Sequence, residues 1–227
     1  MYTHILIDLD HTLLDSDASE AAAFGETLRA AGVADPDAHL AAFQTINREL
    51  WAAVERHEMT PDRVRVARFE ELAKVMAVDA DPVEMADRYV AGLSQFGDLY
   101  PAARRVLPEL SNKATLALVT NGIGEVQRAR IDRLALGSYF AAIVVSGEVG
   151  VAKPAPEIFD IVFEQLGQPT KSSTAMVGDS LSSDIRGGAN YGISTCWFNP
   201  SGRKPGPENR FDHEISDLGQ LLALVGA

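Results

Sequence analysis

The sequence predicts an α/β protein: a parallel sheet with helices on both faces, interrupted after its first strand by a block of helices. Three observations carry this prediction. Short unbroken apolar runs recur at 5–7, 116–119, 142–145 and 175–177, and such runs suit strands buried on both faces; Ile193 to Trp197 reads as a further strand. Helical patterns separate the later runs, and alternation of strand and helix implies right-handed crossovers and a parallel sheet. Between about residues 16 and 97 the pattern is helical throughout, with no strand run. The expected organisation is a core of residues 1–15 and 98–227, with an inserted helical subdomain at 16–97.

The elements follow in order. Residues 5–7 form the first strand, with Asp8 at its C-terminal end. Phe24, Leu28 and Ala31 share a helical face that Gly32 stops. Asp35-Pro36 opens the next helix, with Asp35 as cap and Leu40, Phe43, Asn47, Leu50 and Val54 on one side. Thr60-Pro61 and Asp81-Pro82 repeat that start signal, with Val64, Ala67, Leu72 and Val75, then Met85, Tyr89, Val90 and Leu93, as buried faces. Four helices with short connections make a small bundle, whose core takes in Phe43 and Trp51. Pro101 then starts a helix holding Val106, Leu107 and Leu110, and the strand at 116–119 ends at Thr120-Asn121-Gly122. A helix with Val126, Arg130 and Ile131 runs to a stop at Gly137. Strand 142–146, helix 156–166 and strand 175–178 follow, the last ending at Asp179. Ser182 or Ser183 caps a helix closed by Gly192, before strand 193–197 and a Pro/Gly/Arg-rich loop to 210. A short strand at 212–215 and a helix through Leu218, Leu221, Leu222 and Val225 complete the chain.

Composition narrows the functional classes. The net charge is −12, which repels nucleic acid and anionic membranes, so neither a nucleic acid polymer nor a membrane is an expected partner. A small anionic substrate then needs local positive charge or a metal. The single Cys196 cannot form an internal disulfide and reads as a buried thiol. No signal peptide or membrane span is recognisable, so the expectation is a soluble cytoplasmic protein, monomer or homodimer.

The chemistry gathers at strand ends. Residues two apart in an extended chain point to one side, so Asp8, Asp10 and Thr12 leave the first strand together. Two carboxylates and a hydroxyl so placed are costly unless a cation or a reaction uses them. Alone, the segment would pass for a solvated acidic loop. It is no helix-loop-helix calcium site, because Leu13 stands where the Gly should be and Ser19 where the bidentate Glu should be. Thr120 and Asp179 stand at two further strand ends, and open parallel sheets place their sites beyond such ends.

Four segments in this order, Asp8-Leu9-Asp10-His11-Thr12, Thr120-Asn121-Gly122, Lys153-Pro154 and Gly178-Asp179-Ser180 with Asp184, resemble the motifs of the haloacid dehalogenase-like (HAD) hydrolase superfamily. The resemblance spans nearly the whole chain. It implies a Rossmann-like core and makes the helical insertion an α-helical C1 cap. It implies Asp8 as nucleophile forming an aspartyl-phosphate, and Asp10 as general acid and base. Thr120 and Asn121 would bind phosphoryl oxygens, and Lys153 would neutralise nucleophile and phosphate. Asp8 and Asp179 by side chain, and Asp10 by its carbonyl, would hold a divalent cation, with Mg²⁺ the one expected for hard oxygen ligands and a phosphorylated substrate. Thr12 and Asp184 would support the site, Asp184 having as its alternative a plain first-turn helix charge.

Asp10 argues for phosphoryl chemistry, since dehalogenases of this superfamily lack the second Asp. The segments 120–127, 150–154 and 187–200 are similar to the branch of pyrimidine-type nucleoside 5'-monophosphate phosphatases. A Mg²⁺-dependent nucleotide phosphomonoesterase is therefore expected. The alternatives are a sugar-phosphate or phosphoglycolate phosphatase, a phosphomutase, or a non-catalytic phosphate-binding protein. By position, Asp15, Ser16 and Phe24 are candidates for substrate choice, and His11 is a flap residue near the site. The junctions near 14–17 and 96–100 are the expected hinges.

Overall fold

The computed structural model describes residues 1–76 and 80–226; residues 77–79, inside the expected helical subdomain, and residue 227 lie outside the described residues. The strands are β1 (His4–Ile7), β2 (Thr115–Thr120), β3 (Ala142–Val145), β4 (Thr174–Gly178), β5 (Ser194–Phe198) and β6 (His213–Ile215). They form one sheet in the order β3-β2-β1-β4-β5-β6, every adjacent pair parallel. The chain runs outward from β1 in both directions, so the switch point lies between β1 and β4. Ile7 sits opposite Leu118 and Val177, and the Asp8 N–H extends the ladder to Val177 O at 3.0 Å. Asp8 thus leaves the sheet at its centre, flanked by the ends of β2 and β4.

The period of two sorts the strand residues between two cores. Ile5, Ile7, Leu116, Leu118 and Val177 pack under the helix Pro101–Lys113 and against Leu218 and Leu221. Leu6, Ala117, Val119 and Met176 face the helix Pro156–Gln165 through Ile158, Phe159 and Val162. Burial on both faces is why these strands read as continuous apolar runs.

Between β1 and β2 lie α1 (Ser16–Ala30), α2 (Asp37–Glu55), α3 (Pro61–Met76) and α4 (Pro82–Gln95), then α5 (Pro101–Lys113). Asp81 caps α4 through Val83 N, and Pro82 fills its first turn. Phe24, Phe43, Phe69 and Tyr89 form the aromatic centre of α1–α4, with Phe43 4.6 Å from Phe24 and 5.1 Å from Tyr89 between ring centroids. Ile123 and Val126 join this cluster, so the bundle is seated on the start of α6 (Gly124–Arg133). The chain enters and leaves the bundle side by side: Asp15 N donates to Asp98 O, and Tyr100 N to Leu13 O at 2.8 Å. The remaining helices are α7 (Ser146–Val149), α8 (Pro156–Gln165) and α9 (Arg186–Tyr191). Among the described residues no helix is long and apolar enough to cross a membrane.

Five local expectations change. The second helix begins at Asp37 with Pro36 as its cap position and no side-chain cap bond, so Asp35 does not cap it. Val75 is 62% exposed, although Leu72 is buried and Met76 packs on the bundle core in the same turn, so Val75 lies on the outer side of α3. The stop of α6 comes before Gly137: Leu134 is the cap, Ala135 takes a left-handed φ of 53°, and Gly137 sits in a short 3₁₀ turn. Ser180, not Ser182 or Ser183, caps the turn before α9, its hydroxyl accepting from Ser183 N at 3.2 Å. The final helix is a 3₁₀ segment, Leu218–Ala223, after which Val225 bridges to Tyr2.

Candidate active site

Asp8 is 6% exposed at the end of β1. Beyond it the chain turns sharply, with His11 at φ 60°, which carries Thr12 back under the strand end. Thr12 Oγ1 accepts from Asp179 N at 3.1 Å and donates to Asp8 Oδ2 at 3.4 Å, joining the loops after β1 and β4. Lys153 arrives from the loop between α7 and α8 and is 1% exposed. Its Nζ lies 2.6 Å from Asp8 Oδ1, 2.6 Å from Val119 O and 2.7 Å from Asp184 Oδ1. Its backbone is clasped by Asn121, whose amide donates to Lys153 O and accepts from Lys153 N, both at 2.9 Å. The Lys153–Pro154 peptide is cis. Asn121 lines the cleft, yet its side chain serves the lysine loop.

Asp184 is 1% exposed in a wide turn, Leu181–Ile185, that leads into α9. Its Oδ2 accepts from Ser180 N at 3.0 Å, and its Oδ1 meets Lys153 off hydrogen-bond alignment. It is therefore no solvated first-turn charge. Gly178 makes room for it: a Cβ there would stand 2.1 Å from Asp184 Oδ2. Trp197 Nε1 and Arg203 hold the Asp179 carbonyl at 2.9 and 2.7 Å.

Asp8, Asp179 and Asp184 each offer an oxygen within 4.8 Å of the others. Lys153 is shared by Asp8 and Asp184, and Asp179 has the half-exposed Arg203 at 3.5 Å, so three carboxylates face two cations and negative charge is left in excess where water is scarce. Burial and the Asp184 charge push Asp179 up to about 6. Burial likewise pushes Asp8 well above the usual carboxylate range, against the pull of Lys153. Burial alone would depress Lys153, but Asp184 and Asp8 outweigh it and raise its pKa. An all-oxygen set with surplus negative charge fits a hard divalent cation such as Mg²⁺.

Asp10 meets different surroundings. Ser16 Oγ donates to its Oδ1 at 2.6 Å, Arg130 Nη1 to Oδ1 at 2.9 Å and Gln127 Nε2 to Oδ2 at 2.6 Å. Burial would raise its pKa, but Arg130 and Ser16 together hold it below the usual value. Gln127 also donates to Thr120 Oγ1 at 2.9 Å, which leaves only a 3.5 Å contact with Asn121 O for the Thr120 proton. Gln127 and Arg130 were not among the expected site residues. The sequence signals for them are slight: a polar pair three apart on a helix that begins just after Thr120-Asn121-Gly122, with Gln127 closing the segment 120–127.

The eight expected residues thus converge at the C-terminal edge of the sheet. Residues 2–192 match the profile of the haloacid dehalogenase-like hydrolases. The chain belongs to that family. Within it, this hydrolase is similar to pyrimidine 5'-nucleotidase PynA of Streptococcus pneumoniae, at 34% identity over 222 residues, covering 97% of this chain and 94% of that one. It is 35% identical over 183 residues to pyrimidine 5'-nucleotidase YjjG of Escherichia coli, covering 81% and 80% of the two chains. The solved structure of the HAD-hydrolase YfnB of Bacillus subtilis, bound to magnesium, matches with a TM-score of 0.92 at 34% identity, covering 100% of this chain and 99% of that one.

In this HAD-like hydrolase a cleft of about 1490 Å³ runs between α1–α3 and the strand ends. Asp10, His11, Asn121 and Asp179 line it on one side, and Gln44, Asn47, Arg48 and Trp51 of α2 on the other. Trp51 is half-buried: it packs against a small apolar cluster of Val54, Val64 and Ala152, apart from the aromatic centre that holds Phe43, and also lines the cleft. The three positions singled out for substrate choice do other work. Asp15 caps α1 through Ala18 N, Ser16 holds Asp10, and Phe24 is buried among the bundle's aromatic rings.

Proposed function

We propose that this hydrolase is a phosphomonoesterase acting through an aspartyl-phosphate, with nucleoside 5'-monophosphates as substrates. The observation that carries the reading is the placement of Asp8 beside Lys153 and the acid cluster, with Asp10 two residues on and facing the same cleft. An Asp8 carboxylate oxygen attacks phosphorus and the bond to the leaving oxygen breaks, while Asp10 delivers a proton to that oxygen. Water then attacks the phosphorus of the aspartyl-phosphate and gives its proton to Asp10, freeing Asp8 and inorganic phosphate. The approach of a phosphoryl dianion opposes the hold of Arg130 and favours the protonated Asp10 that the first step requires. Lys153 offsets charge on the nucleophile, and the Thr120 hydroxyl and main-chain N–H groups after β2 receive phosphoryl oxygens. Asp8, Asp179 and the Asp10 carbonyl would hold Mg²⁺, with Asp184 behind them; the ion supplies positive charge to the phosphoryl oxygens.

Residues 16–97 serve in this reading as a cap hinged at the paired segments near 14–17 and 96–100. Closure excludes bulk water, and reopening releases product. Nucleotides are favoured over smaller esters by two supports. The named nucleotidase relatives align over most of their length, and the α2 wall offers an indole face with amide and guanidinium donors. The test is a panel of nucleotides and sugar phosphates with and without Mg²⁺, run on the parent and on Asp8→Asn. The parent should turn over pyrimidine nucleotides fastest, and the folded variant should be inactive. Turnover by the variant, or undiminished turnover in excess chelator, would refute the mechanism; preference for sugar phosphates would refute the substrate.

A further inference from the structure

We propose that Arg130 and Gln127 are positioning residues that fix the carboxylate of Asp10 for proton transfer and tie it to the placement of the helical bundle. The inference rests on the reading of Asp10 as proton donor. Both residues project from α6, which follows β2 on the sheet side of the cleft. Arg130 is 3% exposed, and each of its three nitrogens is engaged. Nη1 donates to Asp10 Oδ1 at 2.9 Å, Nε to Leu93 O of α4 at 2.9 Å, and Nη2 to Ser19 Oγ of α1 at 3.0 Å. One guanidinium therefore touches Asp10 and both helices that adjoin the paired junctions.

Gln127 closes the arrangement. Its Oε1 accepts from Arg130 Nη1 at 3.3 Å, which fixes the amide's orientation and turns Nε2 toward Asp10 Oδ2. The side chain reaches this spot only because Gly122 lacks a Cβ, which would stand 2.6 Å from Nε2. With Oδ1 held by Ser16 and Arg130, and Oδ2 by Gln127, the Asp10 carboxylate cannot swing about its own axis without losing a short contact. Its side chain nevertheless stays 26% exposed to the cleft. A buried cation could be satisfied by any carboxylate; this one is spent on the acid whose direction matters to the reaction.

Proton delivery matters in proportion to the basicity of the leaving oxygen. A nitrophenolate leaves unaided, whereas a nucleoside or alkyl alkoxide does not. Losing the alignment should therefore steepen the dependence of kcat/KM on leaving-group pKa, which a defect in folding alone would not do. The experiment compares p-nitrophenyl phosphate, phenyl phosphate, an alkyl phosphate and a pyrimidine nucleotide on the parent, Asp10→Asn, Arg130→Met, Arg130→Lys and Gln127→Leu, with thermal melting of each. Asp10→Asn sets the scale: the nucleotide should lose about 100-fold or more relative to p-nitrophenyl phosphate, the range of a general acid's contribution. Arg130→Met and Gln127→Leu should shift the same ratio by about 10-fold or more, with Arg130→Lys recovering part of it. Equal losses on all esters in both variants, while Asp10→Asn steepens the slope, would overturn this inference alone. A flat slope in Asp10→Asn would overturn the role of Asp10 and the inference with it. If Arg130→Met fails to fold, Gln127→Leu decides.

Discussion

Replacing Lys153 by Met removes a buried ammonium from two carboxylates at 2.6 and 2.7 Å and from the Val119 carbonyl at 2.6 Å. Breaking a buried pair by deleting one partner costs about 3–5 kcal/mol, because the surviving charge is left without compensation. The cost has a ceiling, since the cluster can take up a proton instead. Protonating one carboxyl of ordinary pKa 3.8 at pH 7.5 costs about 5 kcal/mol, and at pH 5.5 only about 2 kcal/mol. The sign follows from linkage. Lys153 has its pKa raised in the folded protein, so its stabilisation is present in full below its usual pKa of 10.5 and is lost only as pH rises through the folded value. Asp8, whose pKa burial already raises, loses the Lys153 charge that opposed the rise, so the variant's penalty falls as pH falls. The variant should melt about 10 °C below the parent at pH 7.5, with the gap about halved at pH 5.5. Differential scanning fluorimetry at both pH values, in chelator, reads this directly. Equal melting temperatures at pH 7.5, or a gap that widens on acidification, would refute the electrostatic account of the cluster.

Two further outcomes test the same surroundings. Gly178→Ala forces a methyl to within 2.1 Å of Asp184 Oδ2, so Asp184 must withdraw from Lys153; the variant should lose about 1–3 kcal/mol by thermal melting and most of its turnover, and a stable, fully active protein would contradict the close approach. Mg²⁺ at about 100 times its Kd should stabilise the parent by about 2.7 kcal/mol and restore turnover after chelation, while Asp179→Asn should lose most of that thermal shift; an unchanged shift would place the ion elsewhere.

Strands and the gathering of acids at their ends were legible because both are local patterns. An apolar run such as 116–119 is buried on both faces of a parallel sheet, and Asp8 and Asp179 stand at the residue where each run stops. Other features were legible only in three dimensions. Arg130 is separated from Asp10 by 120 residues, and helical periodicity marks it merely as one more position on a buried face. Trp51 looks like core by its apolarity, but the aromatic centre is filled by Phe24, Phe43, Phe69 and Tyr89, and the indole packs on a separate cluster of Val54 and Val64 where it also lines the cleft. The stop of α6 was misplaced because Ala135 adopts the left-handed conformation that composition would assign to Gly137.

The two acids of the first strand end are separated by one residue and by opposite electrostatics. Burial, helped by Asp184, pushes the Asp8 pKa up against the pull of Lys153, whereas Arg130 and Ser16 hold Asp10 down against its burial. For a nucleophile and a proton donor the useful order is the reverse. Cationic charge between Asp8 and Asp179 would lower Asp8, and phosphoryl charge beside Asp10 would raise it, so in the proposed mechanism each acid would acquire its working protonation as the charges of the reaction arrive. In that mechanism the opposition ties protonation to the arrival of substrate. It also gives the arginine a second consequence. Arg130→Met should ease protonation of Asp10 while loosening its aim, so a gain in proton availability without a gain in turnover is what a positioning role requires.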